Sequence, residues 1–152
     1  MKVDMGGAAC VISAINAVAK SNLPVYVIGL IPATDNRPSG NAYAPGDVVE
    51  MYDGTNVEVL NTDAEGRMIL ADALSYAKKY NPELVIDMAT LTGSAARAIG
   101  HFGIVSMHNK AEKQHQKLKE AGLEVYERLA EMPFWDESVS YTHLTLPTTT
   151  IV

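Results

Sequence analysis

The sequence predicts an α/β protein, with helices on both faces of a mixed, largely parallel sheet and therefore three layers. Segments with the apolar spacing of helices alternate along the chain with short apolar segments that have the length of strands. These short segments are apolar throughout, which is typical of strands buried on both faces. Helices that alternate with buried strands favour a layered α/β sheet over an all-α or all-β fold.

Composition restricts the class of protein further. The 152 residues are 47% apolar and 20% charged, which excludes a disordered or collagen-like chain. The single cysteine, Cys10, cannot form an internal disulfide and fits a reducing compartment. We expect no secretory signal and no membrane span, because no uninterrupted apolar run reaches about 18 residues. The net charge of −6 without a basic cluster disfavours nucleic acid and favours cationic partners.

The first half of the chain predicts a helix, a strand, a loop and a hairpin. Apolar residues from Ala8 to Ala19 keep helical spacing, and Asn22 and Pro24 end that helix. Val25 to Ile31 is a continuous apolar run and predicts a strand buried on both faces. Residues 32–46 contain three prolines and predict a long loop, and long loops are usually functional. Residues 47–60 predict a hairpin around Asp53-Gly54.

The second half predicts three helices and two strands. A helix is expected to Lys79, followed by a buried strand over Leu84 to Met88. Thr90 to Ser94 opens a short helix that ends at Gly100, and residues 103–107 predict a third short strand. Residues 110–131 carry five acids and five bases and predict a charged, solvent-exposed helix.

Carboxylates flank two of the predicted strand-to-helix junctions, where α/β proteins bind ligands. Asp63 and Glu65 follow the hairpin, and Asp4 precedes the first helix. Divalent cations take carboxylate oxygens readily, and Arg67 beside this pair could hold an anion. The alternative is structural, because Asn, Thr and Asp before a helix are common caps and an acid in the first turn suits the helix dipole.

The remaining candidate ligands carry weaker signals. The four histidines, His101, His108, His115 and His143, show no metal-ligand spacing, and we expect each to be structural. Cys10 lies in an apolar helical segment, which favours a buried, inert thiol.

The acidic segment carries a resemblance to a known family. Asn61-Thr-Asp-Ala-Glu-Gly-Arg67, continuing Met-Ile-Leu-Ala-Asp-Ala-Leu74, resembles the signature of the leucine aminopeptidase (cytosol aminopeptidase) family. Further stretches agree in order and spacing: Lys2-Val-Asp-Met-Gly-Gly-Ala-Ala9, Leu23-Pro24, Asn36-Arg-Pro-Ser-Gly40, Pro45-Gly-Asp-Val48, Ala89-Thr-Leu-Thr-Gly93, and more weakly Met132-Pro133 and Trp135. The resemblance covers about residues 1–137 and implies a partial catalytic domain.

The resemblance implies a two-metal exopeptidase that removes N-terminal residues from peptides, uses zinc, manganese or magnesium, and assembles as a homo-hexamer in the cytoplasm. Asp4 would bind one metal, Asp63 would bind the other, and Glu65 would bridge both. Arg67 would hold a bicarbonate that acts as general base. Thr90, Leu91, Thr92 and Gly93 would line the substrate cleft, and Met1 would line the pocket for the first side chain.

The resemblance also implies that the domain is truncated at both ends. In the family, further metal ligands and a lysine that polarises the scissile carbonyl precede the position of Asp4, so we expect the 152 residues alone to be inactive. The alternative is a non-catalytic metal-binding or interaction domain derived from the same family. A magnesium-dependent phosphate-handling domain would need a glycine-rich phosphate loop, which the sequence lacks.

The last segment, residues 138–152, departs from the family pattern. Ser140-Tyr-Thr-His-Leu-Thr-Leu-Pro-Thr148 resembles translated sequencing-adapter read-through, and the hypothesis is that this tail is artefactual. The alternative is a genuine threonine-rich tail. The nucleotide sequence around it distinguishes the two.

Overall fold

The computed structural model describes residues 2–135 and 150–151. Its regular elements alternate between helix and strand, which confirms the α/β class. In chain order they are α1 Gly6–Lys20, β1 Val48–Glu50, β2 Asn56–Glu58, α2 Glu65–Ala77, α3 Ser94–Ile99, β3 Ile104–His108, α4 Glu112–Glu124, β4 Leu129–Glu131 and β5 Thr150–Ile151. Short 3-10 turns occur at Lys2–Met5, Thr62–Ala64 and Lys78–Tyr80.

The chain divides into two compact units, and one of them is Ile15–Pro82. Its sheet is the predicted hairpin: β1 and β2 are antiparallel, with Val49 opposite Val57. Gly54 lies in the connecting turn with φ of 86°, a conformation that glycine adopts without steric cost. The chain then enters α2, as the sequence predicted. Residues 32–46 form no helix or strand, which confirms the predicted loop.

The other unit comprises Met1–Ala14 and Glu83–Val152. Its sheet has the order β4-β3-β5, and both β4 and β5 run parallel to β3. The core of this unit lies on β3, where Val105 and Ser106 are almost fully buried and Met107 is buried as well. His115 of α4 is 1% exposed and packs against this strand through Ser106.

Two of the predicted strands are wrong for the described residues. Residues 25–31 form no strand, and five of their side chains are exposed, at Val25, Tyr26, Val27, Ile28 and Ile31. Residues 84–88 contribute one isolated bridge at Ile86. The physical reason is that a strand exists only through hydrogen bonds to a neighbour, and no strand among the described residues pairs with either segment.

The predicted helix over residues 110–131 is too long. Helix α4 ends at Glu124, and Tyr126 takes a left-handed conformation with φ of 63° that turns the chain back. Leu129–Glu131 then forms β4, with Leu129 beside Ile104 of β3. Gly122 permits this return, because a Cβ atom there would lie 2.4 Å from the carbonyl oxygen of Glu127. Tertiary pairing therefore overrides the helical pattern of the last residues.

The helical segment Lys2–Lys20 bears on the expectation of no membrane span and corrects the expectation of a buried Cys10. It is 19 residues long with a hydropathy of 1.2, so by length and composition it could cross a membrane. The core helix of a soluble protein and a signal sequence pass the same test. Cys10 in this segment is exposed rather than buried, because α1 contains no buried residue.

Candidate functional site: the acidic turn and its surroundings

The turn that follows the hairpin is stabilised by Asn61, whose backbone is extended at φ −140° and ψ 118°. Its side-chain oxygen accepts a hydrogen bond of 3.0 Å from the backbone N–H of Asp63. Asn61 is therefore the cap of the 3-10 turn, and Ala64, which precedes α2, makes no side-chain cap bond. The capping alternative is correct for Asn61, but the carboxylates of Asp63 and Glu65 do not serve as caps.

The two carboxylates differ in environment. Asp63 is exposed on the 3-10 turn, whereas Glu65 is half-buried at the first position of α2. The Oε2 atom of Glu65 is buried and has no hydrogen-bond partner among the residues that the structure describes. A buried carboxylate oxygen without a partner is unfavourable, and a bound cation is one group that satisfies it. The donor set therefore fits a divalent metal that prefers oxygen ligands.

The loop over residues 32–46 contacts the acidic turn. The side-chain amide of Asn36 donates a 3.1 Å hydrogen bond to the carbonyl oxygen of Thr62. The pKa of the Tyr43 hydroxyl is raised, first by burial and then by the negative charge of Glu65. The loop thus contacts the candidate site, and the expectation that it is functional stays a prediction.

Arg67 lies in the first turn of α2 and is half-buried. It makes no ion pair within the described part of the chain. Its guanidinium is therefore not neutralised by Asp63 or Glu65, although the three residues share one turn-to-helix junction.

Asp4 lies in the other unit, on the 3-10 turn Lys2–Met5. The hydroxyl of Thr90 lies 2.8 Å from Asp4 Oδ1 and 3.2 Å from its backbone carbonyl oxygen, so Thr90 donates to Asp4. Gly6 and Gly7 make this approach possible. A Cβ atom on Gly7 would lie 2.2 Å from the Met88 carbonyl oxygen. The two glycines therefore admit a closely packed backbone.

The predicted substrate loop continues from Thr90 into α3. Thr92 and Ser94 bond through their hydroxyls at 3.2 Å, and Arg97 donates to the Ser94 hydroxyl at 2.8 Å. Leu91 is half-buried and Gly93 is exposed at the start of the helix. The structure thus brings Asp4 and Thr90 together, while Met1 lies outside the described residues.

A shallow groove of about 330 Å³ lies within Ile15–Pro82. It is lined mainly by apolar side chains, among them Leu30, Ile69 and Tyr76. Asp72, which also lines the groove, accepts a 2.8 Å hydrogen bond from the backbone N–H of Tyr52, so this carboxylate already has a hydrogen-bond partner. The groove contains neither Asp63 nor Glu65.

One polar cluster was missed by sequence reasoning. His108 ends β3, Glu131 ends β4, and His115 lies in α4. One ligand atom from each lies within 4.8 Å of the others. A sequence signal for this cluster exists, because the carboxyl ends of parallel neighbouring strands meet at one sheet edge. Sequence reasoning did not detect it, because residues 129–131 were predicted to be part of a helix rather than a strand.

Within this cluster, burial and neighbouring charges have opposing effects on the pKa values of His115 and Glu131. Burial lowers the pKa of His115 despite the opposing effect of Glu131. The pKa of Glu131 is lowered, chiefly by the hydrogen bond that it accepts from Lys119 at 2.8 Å. His108 Nε2 lies 2.9 Å from a carboxylate oxygen of Glu112 and 3.3 Å from one of Glu131.

These features define an α/β protein with carboxylates on the 3-10 turns before α1 and at the start of α2, and comparison with known proteins identifies its class. The profile of the Cytosol aminopeptidase family, catalytic domain, matches residues 1–145. The chain belongs to the cytosol aminopeptidase family. The match includes Lys2–Lys20, so this helix is part of the catalytic domain in the family.

Curated relatives agree with this assignment. The chain is 52% identical over 138 residues to a probable cytosol aminopeptidase of Chlorobium phaeobacteroides, covering 90% of the chain and 27% of the relative. It is 54% identical over 137 residues to one of Geobacter sulfurreducens, with the same coverage. The chain therefore spans about a quarter of the length of the curated relatives that it matches.

Solved structures confirm the fold. The bottromycin maturation enzyme BotP superposes with a TM-score of 0.87 at 35% identity, covering 99% of this chain and 33% of BotP. The same enzyme in complex with Mn gives a TM-score of 0.85 at 35% identity, with the same coverage. A mutant tomato leucine aminopeptidase gives 0.82 at 34% identity, covering 99% of this chain and 30% of that protein.

Proposed function

We propose that this chain supplies part of the active site of a dinuclear, metal-dependent aminopeptidase that releases N-terminal amino acids from peptides. The observation that carries the proposal is the buried, unpartnered Oε2 of Glu65 next to the exposed carboxylate of Asp63. Family membership and the similarity to a manganese-bound enzyme support it. The metals proposed are zinc, manganese or magnesium, all of which accept carboxylate ligands.

Each proposed ligand has its own role in binding the two metals. Asp63 would bind one metal through its carboxylate and its main-chain carbonyl, Asp4 would bind the other, and Glu65 would bridge both. When bound, two divalent cations lower the pKa of a shared water and stabilise the charge that develops on the scissile carbonyl. The half-buried position of Glu65 keeps its carboxylate partly dehydrated, which strengthens its attraction for cations.

Thr90 acts as a positioning residue for Asp4. Its hydroxyl donates to Asp4 Oδ1 at 2.8 Å, which orients the carboxylate and leaves Oδ2 for a metal. Such hydrogen bonds to the ligand fix its direction and are a general feature of metal sites. The close packing of Gly7 against Met88 keeps the two segments at this distance.

The remaining roles concern the anion and the substrate. Arg67, which is not ion-paired in the described part of the chain, would hold a bicarbonate that acts as general base for the attacking water. Main-chain groups near Leu91, within the Thr90–Gly93 loop, would contact the peptide. Met1 would line the pocket for the first side chain.

For the whole protein we propose peptide substrates, a cytoplasmic location and a homo-hexamer, with no nucleic-acid or membrane partner. The names of the relatives support a cytosolic peptidase.

The 152 residues by themselves are proposed to be inactive. The chain spans 27% of its relatives, and Asp4, Asp63 and Glu65 are too few ligands for two metals. The alternative function is a non-catalytic metal-binding or interaction domain. Metal binding without peptide hydrolysis by the longer protein would support that alternative.

Manganese binding tests the proposed site. We expect the double variant Asp63→Ala, Glu65→Ala to bind Mn²⁺ at least about tenfold more weakly than the unchanged chain, because it lacks the ligand pair. The electron paramagnetic resonance signal of free Mn²⁺ measures the bound fraction. Circular dichroism checks that the variant is folded.

The matched control removes two exposed acids from the same unit, Glu50→Ala and Glu58→Ala, and changes the net charge equally. It should bind Mn²⁺ as the unchanged chain does. Equal binding by both double variants would show that the acidic turn is not a metal site.

A further inference from the structure

We propose that His108, His115 and Glu131 form a second, mononuclear site for a borderline transition metal such as Zn²⁺. The site lies at the carboxyl ends of β3 and β4 and is closed by α4. It shares no residue with the acidic turn, and it does not depend on the aminopeptidase proposal.

Parallel pairing of β3 with β4 brings the ligands to one edge. Ser106 lies opposite Glu131 in the register, and His108 follows two residues later on the same face of the strand. Helix α4 places His115 against that face, where its side chain is 1% exposed. The site thus has one ligand, His115, in the packed core of the unit, while Glu131 is exposed at its edge.

The distances suit a small metal ion. His108 Nε2 lies 3.3 Å from Glu131 Oε1, and His115 Nδ1 lies 3.6 Å from Glu131 Oε2. Two ligand atoms on a tetrahedral zinc, at about 2.0–2.1 Å from the metal, are about 3.3 Å apart. The three ligand atoms lie within 4.8 Å of one another, so side chains must move closer for all three to bind one zinc.

The ligand types, and the hydrogen bond that orients one of them, also favour zinc over a harder cation. Two imidazoles and one carboxylate are a recognised zinc set that leaves one position open. His115 is oriented by a 2.9 Å hydrogen bond between its Nε2 atom and the hydroxyl of Ser106, which is fully buried. This bond turns Nδ1 toward Glu131, and partners of this kind raise metal affinity.

The same atoms have competing partners. Lys119 Nζ lies 2.8 Å from Glu131 Oε2, and the carboxylate of Glu112 lies 2.9 Å from His108 Nε2. A metal would displace Lys119, while Glu112 could become a fourth ligand. His108 Nδ1 is buried without a hydrogen-bond partner among the described residues, so we expect weaker binding than at a closed structural zinc site.

The experiment uses the full 152-residue chain carrying Asp63→Ala and Glu65→Ala, so that the acidic turn does not contribute. Equilibrium dialysis against Zn²⁺ should give about one bound ion per chain. Adding Glu131→Gln should weaken binding at least about tenfold, because the carboxylate ligand is lost. Glu124→Gln, an exposed acid at the end of α4, is the matched control and should leave binding unchanged.

Lysine variants test the geometry without removing a ligand. Lys119→Met should strengthen zinc binding because it frees Glu131, whereas Lys117→Met, an exposed lysine of the same helix, should have a smaller effect. Bound Co²⁺ should show the intense visible absorption of a four-coordinate site, and this should be lost in Glu131→Gln.

Three results would overturn the site: no zinc bound in the Asp63→Ala, Glu65→Ala background, equal binding by Glu131→Gln and Glu124→Gln, or equal effects of the two lysine variants. If Glu131→Gln fails to fold, the lysine pair decides. Failure of the aminopeptidase proposal would give a different result. The Asp63→Ala, Glu65→Ala variant would then bind Mn²⁺ as well as the unchanged chain does.

Discussion

At the scale of single residues, glycines at close contacts control how the candidate ligands are held. Gly7 lies in the first turn of α1, where its Cα faces the backbone of Met88. The same contact keeps Asp4 within hydrogen-bond distance of Thr90. Substitution at Gly7 therefore tests packing and ligand placement together.

Gly7→Ala should destabilise the chain by about 1–3 kcal/mol, because the added Cβ would lie 2.2 Å from the Met88 carbonyl oxygen. The gain of about 1 kcal/mol in helix propensity does not offset this clash. Urea unfolding measures the change. Gly40→Ala, where a Cβ meets nothing within 4 Å, is the control. A Gly7→Ala variant as stable as that control would contradict the close approach.

Tyr126 is a second residue whose backbone sets the path of the chain. It lies two residues after Glu124, the last residue of α4, with φ of 63°, a left-handed conformation that is costly for a bulky side chain, and its side chain is 84% exposed. Glycine is the preferred residue at this position after a helix.

Tyr126→Gly should stabilise the chain by about 1 kcal/mol, because it removes the steric cost of the left-handed conformation. Val125→Gly, one residue earlier with φ of −107°, should destabilise it, since glycine there only adds entropy to the unfolded chain. Thermal unfolding of the two variants should shift the midpoint in opposite directions. A shift of the same sign in both would be evidence against the left-handed turn.

At the scale of elements, the edge of the β3–β4 pair and the facing side of α4 form one electrostatic unit. Burial lowers the pKa of His115 and so favours its neutral form, while the hydrogen bond from Lys119 lowers the pKa of Glu131 and so favours its charged form. The other titratable groups that face them are His108 and Glu112.

Acid should destabilise the metal-free chain through this unit. The pKa of His115 is lowered from its ordinary 6.5, and that of Glu131 from 4.5. For both groups the unfolded chain takes up a proton at higher pH than the folded chain. Stability is therefore greatest above pH 6.5, begins to fall as the pH drops through 6.5, and falls further below 4.5. Urea unfolding in a chelator across this range measures the slope.

His115→Gln should remove the part of this slope near pH 6.5, whereas His101→Gln, an exposed histidine, should keep it. A flat profile in the unchanged chain would contradict the burial of a neutral His115.

At the scale of the whole molecule, the shared fold and the family match connect the chain to an enzyme several times its length. A metal-dependent peptidase requires every ligand of both ions at once, because positioning and electrostatic stabilisation act together in the transition state. We propose that Asp4, Asp63 and Glu65 are part of such a set.

The isolated 152-residue chain should hydrolyse leucine p-nitroanilide negligibly, even with added manganese, because Asp4, Asp63 and Glu65 cannot complete two metal sites. A colorimetric assay beside a full-length relative makes the comparison. A turnover rate near that of the full-length relative would refute this prediction. Residual Mn²⁺ binding without turnover is the expected behaviour of the chain.

The predictions from sequence succeeded where structure is local. Helices α1 and α2, the hairpin at Gly54 and the acidic turn after it all depend on spacing and turn residues within a few positions. The candidate site residues Asp63, Glu65 and Arg67 belong to one such local segment, which is why a short signature could identify the family.

Tertiary structure alone decided the rest, because strand pairing and side-chain clusters join residues that are distant along the chain. Residues 129–131 became a strand through pairing with β3, and residues 25–31 formed none among the described residues. The cluster of His108, His115 and Glu131 follows from that same pairing. The sequence by itself therefore determined the family, the local elements and the acidic signature. The paired strands and the histidine cluster required the fold, since non-local hydrogen bonds leave no fixed spacing along the chain.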